Sequence, residues 1–170
     1  MKQDMETLHF LQTSHEQNPA GISPDVRARL KSLAKGQDAT LKAFLLDRLS
    51  DAYAWKSTAL TLLEQYPKQL AADEVSRVGK CLRDEDGGIR IKAAGVLAAA
   101  GTWPNADLAE ALARETDERV RETLVVVALT LNGLPAHVAI PEGRRLNQAG
   151  EPLDSTVIEE AARTLLARQA

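Results

Sequence analysis

The chain is short of the residues that small folds often lean on. Its 170 residues include one cysteine, two methionines, and two each of Phe, Trp and Tyr. A single Cys81 excludes an internal disulfide, and its place beside Val75, Val78 and Leu82 reads as a buried core thiol. Aromatics make up 4% of the chain against 44% hydrophobic residues, so Ala and Leu must form most of the core. That suits closely packed helices and argues against a β-sandwich. Neither sign of charge dominates. The net charge is −3 and the pI about 5.7, which gives no global attraction to nucleic acid or anionic lipid. No run approaches the roughly 20 apolar residues of a membrane span. The opening Met1-Lys-Gln-Asp-Met-Glu6 lacks the apolar stretch of a secretory leader. A cytoplasmic protein with no membrane partner is the expectation.

Catalytic and metal signatures are missing as well. There is no Gly-x-Ser-x-Gly, no phosphate loop and no His-Glu-x-x-His. His9, His15 and His137 have no metal-like spacing with one another or with Cys81. Asp84-Glu85-Asp86-Gly87 opens like a calcium loop, but the fifth and twelfth positions would be Gly88 and Gly95, which carry no side-chain oxygen. Glu115, Asp117 and Glu118 read as a second, solvated acidic turn. No catalytic residue, cofactor or metal site is assigned, and nothing supports an enzyme.

What is present is a register. After Asp86, offsets of +3, +7, +8 and +11 give Ile89, Ala93, Ala94 and Leu97. After Asp117 they give Val120, Leu124, Val125 and Ala128. After Asp154 they give Val157, Ala161, Ala162 and Leu165; after Asp51, Ala54, Thr58, Ala59 and Leu62, with Thr58 the one polar miss. These offsets share one face of a 3.6-residue helix. An Asp ahead of such a face is an N-cap, because its carboxylate accepts orphan amide hydrogens of the first turn. The starts lie 35, 31 and 37 residues apart. One helix pair cannot bury its own apolar face, so a recurring pair implies stacking.

Asp86-Gly-Gly-Ile89-Arg90 and Asp117-Glu-Arg-Val120-Arg121 resemble HEAT repeats, which carry an Asp between their two helices, then Val-Arg, then small residues. Asp51 is followed by Trp55-Lys56 and Asp154 by Val157-Ile158, so the basic residue shifts once and is lost once. The units are shorter than the usual HEAT length and look like the short bacterial units of phycobilin lyases. The resemblance covers roughly residues 38 to 168. It implies an all-α, right-handed α-solenoid in a single domain: residues 1–37 as an N-terminal cap, 38–132 as three helix pairs, 133–154 as an irregular loop, and 155–170 as a C-terminal capping helix.

In chain order, residues 3–13 form a short helix, and Ser14 to Ile22, with Pro19 and Gly21, is a loose linker. Ser23-Pro24 starts a helix that runs to about Ala34 and ends at Gly36. Asp38 or Thr40 opens the next, which turns Leu41, Phe44, Leu45 and Leu49 inward. Pro67 stops the Asp51 helix. Residues 71–82 pair with 88–100, and 105–114 with 118–132. Leu124-Val-Val-Val-Ala-Leu is β-branched enough for a strand, but the register favours helix.

Asp86–Arg90 and Asp117–Arg121 read as caps plus a ladder to the next repeat. The candidate binding residues are Arg90, Lys92, Arg119 and Arg121 near the starts of second helices, Trp103 in a turn, and His137, Arg144 and Arg145 in the irregular loop. Trp55 lies by the apolar face of its helix and reads as packed. The expected function is a non-catalytic module, an adaptor or an inhibitor of the immunity-protein kind, with another protein as partner. Nucleic-acid binding or repair through a basic face is the alternative. The resemblance also implies a third: a lyase- or chaperone-like binder of a small ligand.

Overall fold

The computed structural model describes residues 2–66, 70–101, 105–131 and 163. All regular structure among them is helical. The chain divides into two compact units, Met1–Gly101 and Thr102–Ala170.

The first unit holds six helices: α1 (Lys2–Gln17), α2 (Pro24–Lys35), α3 (Ala39–Asp47), α4 (Tyr53–Leu63), α5 (Ala72–Lys80) and α6 (Gly87–Ala100). Single turns of 3-10 helix, Arg48–Ser50 and Cys81–Arg83, follow α3 and α5. The starts are set by side chains. Ser23 caps α2 through Val26 N–H, with Pro24 at its first position. Asp38 caps α3 through Leu41 N–H at 2.8 Å, and Asp86 caps α6 through Ile89 N–H at 3.0 Å. At α5 the cap is reversed: Ala71 has no acceptor, and Glu74 reaches back to the Ala71 amide at 2.8 Å. Gly101 ends α6 at φ 70°, a left-handed conformation that glycine adopts without steric cost.

The helices of this unit pack in two series. α1 lies on α3 and α3 on α5; α2 lies on α4 and α4 on α6; α3 with α4 and α5 with α6 join the series. The α4–α6 contact is the most extensive, and small residues make it close: Ala59, Ala93, Ala94 and Ala100 are all buried. A Cβ on Gly95 would sit 2.6 Å from Glu64 Oε1. Leu41, Leu45, Leu60, Leu63 and Leu97 complete the core with at most 1% exposure. Removing each such side chain from water contributes roughly 2 kcal/mol. The second unit pairs α7 (Asn105–Arg114) with α8 (Glu118–Leu131), burying Leu108 and Leu112 together with Val120, Leu124 and Val125. The β-branched run at 124–129 is helical, as the register required.

Three expectations need correction. α1 runs through His15 to Gln17, so the first four residues of the stretch read as a linker are helix, and a hydrogen-bonded turn at Asn18 to Gly21 follows. Gly36 closes α2 at φ −77°, as its place in the sequence implied, and the left-handed residue after it is Gln37 at φ 53°. The chain turns there because Asp38, the cap of α3, follows at once. Glu115 is not solvated: it is 8% exposed, and its Oε1 accepts the amides of Thr116 and Asp117.

The third correction concerns Asp51. Helix α4 begins at Tyr53, the cap position is Ala52, and no side chain caps it. Counting +3, +7, +8 and +11 from Ala52 gives Trp55, Ala59, Leu60 and Leu63, all buried. The same count from Asp38 gives Leu41, Leu45, Leu46 and Leu49, also all buried. With α4 counted from Ala52 the polar miss at Thr58 disappears. Lys56 then stands at +4, as Arg90 and Arg121 do after Asp86 and Asp117.

Candidate functional site

Asp51, free of capping duty, forms a node with the end of α1. Its Oδ2 lies 2.7 Å from His15 Nε2 and 3.4 Å from Arg48 Nη1. Arg48 Nη1 is 3.0 Å from His15 Nδ1. The guanidinium, which can only donate, lies within 3.1 Å of both ring nitrogens of His15, and Nε2 of the ring faces the Asp51 carboxylate. Rings enclose the group. His15 meets Trp55 edge-on at 5.2 Å and Phe44 at 6.3 Å, and the Arg48 guanidinium lies 4.9 Å over Phe44. Trp55, 1% exposed, donates Nε1–H to the Asn18 carbonyl at 2.9 Å. Arg48 Nε and Asp51 Oδ2 are closed off from solvent without a well-aligned hydrogen-bond partner.

Above the node lies a cleft of about 550 Å³ between α1 and α3. Leu8, Gln12 and His15 line it from one side, and Thr40, Ala43 and Phe44 from the other, with Arg48 at one end. The spacings 8, 12, 15 and 40, 43, 44 are single helix faces turned toward each other.

Elsewhere in this unit, polar side chains tie each helix to its neighbour. Lys42 pairs with Glu74 at 2.9 Å and Asp47 with Arg77 at 2.8 Å, joining α3 to α5. Arg77 also donates to the Leu46 carbonyl. Lys56 of α4 reaches Asp84 at 2.6 Å, and Lys92 of α6 donates to Thr61 Oγ1 of α4 at 2.8 Å. These partners are 28 to 32 residues apart. The Asp84 hydrogen bond holds Lys56 above the ordinary lysine range against the opposing effect of burial. Burial alone would raise Asp84, but the Lys56 bond, the Asp86 amide and the Lys56 and Arg90 charges hold it below the usual carboxylate range. Burial pushes the Cys81 thiol up, against the pull of Lys56. It is a free, buried cysteine, as its sequence position implied.

Several residues singled out from sequence fall within this frame. Arg90 donates to the carbonyls of Asp84 and Glu85 at 2.9 and 3.0 Å, and Arg121 to the Glu115 carbonyl at 2.8 Å. Each Arg clamps the turn before its own helix, a use of the Asp-to-Arg spacing that the sequence did not reveal. Lys92 belongs to the α4–α6 tie. Arg119 is exposed, and its amide, with that of Val120, is capped by Asp117. Arg90 and Lys92 share the first unit; Arg119 and Arg121 share the second. Asp84 and Asp86 of the acidic turn accept from Lys56 and from the backbone amides of Asp86 and Ile89. Trp103, His137, Arg144 and Arg145, the 133–154 loop and the stop at Pro67 lie outside the described residues. So does the final helix apart from Arg163, which is helical and exposed.

The His15–Arg48–Asp51 node was not found from sequence. One signal was available: the polar miss at Thr58, and the large Trp55 at +4 where the other units carry their basic residue, both say that Asp51 stands one residue too early to cap. No family model, curated protein or solved structure matches the chain. What the fold defines is a helical protein, and no helix among the described residues is long and apolar enough to cross a membrane.

Proposed function

We propose that the chain is a non-catalytic protein-interaction module on a right-handed, HEAT-like solenoid of stacked helix pairs. The observation that carries this is the recurrence of one set of offsets. Caps at Asp38, Ala52, Asp86 and Asp117 each precede apolar residues at +3, +7, +8 and +11, and basic residues stand at +4 in all four. Ties at separations of 28 to 32 residues agree with pairs that repeat along the chain. Such stacks present long surfaces to partners. Their polar residues at the repeat positions hold turns and neighbours and do not form a reaction centre. Arg90 and Arg121 act in this reading as scaffold, which leaves Lys92 and Arg119 as the basic residues to test for contact. The place of such a module in the cytoplasm belongs to the same reading.

The test is a pull-down with the tagged full chain at low and moderate salt, with nuclease treatment in parallel. A stoichiometric protein partner that survives nuclease and is lost in Lys92→Glu or Arg119→Glu supports the reading. Recovery of nucleic acid with a steep salt dependence would replace it by nucleic-acid binding.

A further inference from the structure

The gap between α3 and α5 is bridged by two ion pairs. Between α1 and α3 the polar link sits at the C-terminal end of both helices, where His15 meets Arg48, and the cleft opens beside it. One stripe of α1 borders this cleft. Met5, Leu8, Gln12 and Glu16 follow at steps of three, four and four residues, so they share a helix face. Met5 is 71% exposed and Leu8 41%, two of the three exposed large hydrophobic residues among those described. Opposite them, Ala43 of α3 is exposed as well. The stripe is therefore apolar where it starts and acidic where it ends.

We propose that the α1–α3 cleft docks a short amphipathic helix of a protein partner, with its apolar side chains over Met5, Leu8 and Ala43 and a lysine or arginine at Glu16. That kind of occupant follows from the module reading above.

Charge selects the partner's sign. The Arg48 charge is answered by Asp51 at 3.4 Å, and the Asp47 carboxylate by Arg77 at 2.8 Å. Glu16 is exposed and has no hydrogen-bond or ion-pair partner among the described residues. The unbalanced charge lining the cleft is thus negative. The contact of His15 with Arg48 also brings the carboxyl ends of α1 and α3 together, and the negative ends of two helix dipoles favour a cation on that side. From Leu8 to Glu16 the stripe runs about 12 Å, the length of two turns of a bound helix. A partner helix that meets it carries apolar residues one turn apart and a basic residue beyond them, the usual way a helix fills a groove.

The probe is a fluorescein-labelled helical peptide of alanine and glutamine, with two leucines one turn apart and one lysine two turns further on. Its anisotropy is followed on the full chain at low and moderate salt. Saturable binding is expected, at least ten-fold tighter than that of the same peptide with glutamate in place of lysine. Glu16→Lys reverses this preference, and Leu8→Gln weakens both peptides five-fold or more. Both positions are exposed, so the helical circular dichroism is retained in each variant. Absence of binding, equal binding of the two peptides, a preference unchanged by Glu16→Lys, or full affinity in Leu8→Gln overturns the proposal. Lys92 does not line the cleft, so Lys92→Glu leaves peptide binding intact. A failed pull-down with peptide binding retained therefore removes the module reading alone, and a captured partner without peptide binding removes the cleft alone.

Discussion

Replacing Asp51 separates two roles that sequence alone confuses. If Asp51 capped α4, Asp51→Ala would cost about 1 kcal/mol and would be indifferent to His15. In the structure it instead holds His15 at 2.7 Å and Arg48 at 3.4 Å, with side-chain exposure of 20%. A well-aligned hydrogen bond to a charged group contributes about 1.5–3 kcal/mol, and the imperfect alignment and partial exposure of this contact keep it toward the lower end. The expected cost of Asp51→Ala is therefore about 2 kcal/mol. His15→Phe is the matching change: it keeps the ring against Trp55 and Phe44 while deleting both nitrogens. In a double-mutant cycle the pair should couple by about 1 kcal/mol or more. Asp86→Ala, which removes one true cap, should cost about 1 kcal/mol and show no coupling to His15. Urea unfolding followed by fluorescence, with Trp103→Phe throughout so that Trp55 alone reports, reads the first unit directly. A coupling below about 0.3 kcal/mol, within the error of additivity, would refute the node.

Tyr66 is 1% exposed and donates to the Asp38 carbonyl at 3.0 Å; burial, then the Asp38 charge, pushes its hydroxyl up to about 12 from 10.0. The folded value lies above the unfolded one, so stability is full below pH 10 and falls as pH rises toward 12. The loss approaches about 3 kcal/mol, and Tyr66→Phe should remove that part of the alkaline slope. The Lys56–Asp84 pair should couple by about 0.5–1 kcal/mol. Asp84 is held below its ordinary 3.8, so its share is complete above 3.8 and is lost as pH falls through the folded value. Lys56 is held above 10.5, so its share is complete below 10.5 and is lost as pH rises beyond the folded value. A cycle with Lys56→Met and Asp84→Ala that varied between these limits would contradict the assignment. Gly79 lies inside α5 with nothing within 4 Å of an added Cβ, so Gly79→Ala should stabilise by about 0.5–1 kcal/mol. Gly101→Ala, forced into φ 70°, should destabilise by about 1 kcal/mol.

The helices were legible because their signals are local. Ser23-Pro24, Asp38, Asp86 and Asp117 each act within three residues of themselves, and the offsets after them report one face of one helix. The α4 start was misplaced by a single residue because Asp51 has the right chemistry for a cap and Ala52 does not. A propensity rule prefers the carboxylate, and the decision was made elsewhere, by a histidine 36 positions earlier in the chain. Glu115 misled for a similar reason. Three acidic residues in a turn look solvated, yet one of them folds back onto two backbone amides. Contacts such as Lys42–Glu74 and Lys92–Thr61 could not be named from sequence, because they depend on which helices become neighbours.

These neighbour contacts bear on where a ligand can act. Lys42, Asp47, Lys56, Glu74, Arg77 and Asp84 each have an oppositely charged partner on an adjacent helix or turn. Breaking such a tie to bind something else would loosen two helices at once, so these residues make poor ligand contacts despite their charge. α1 meets α3 differently: its polar link is gathered at one end, at His15, and the rest of the contact stays open as the cleft. That concentration follows from the displaced register, since Asp51 could not have reached His15 while bonded to the first amides of α4. The one-residue shift that spoils the sequence pattern is therefore also what docks α1 at its end.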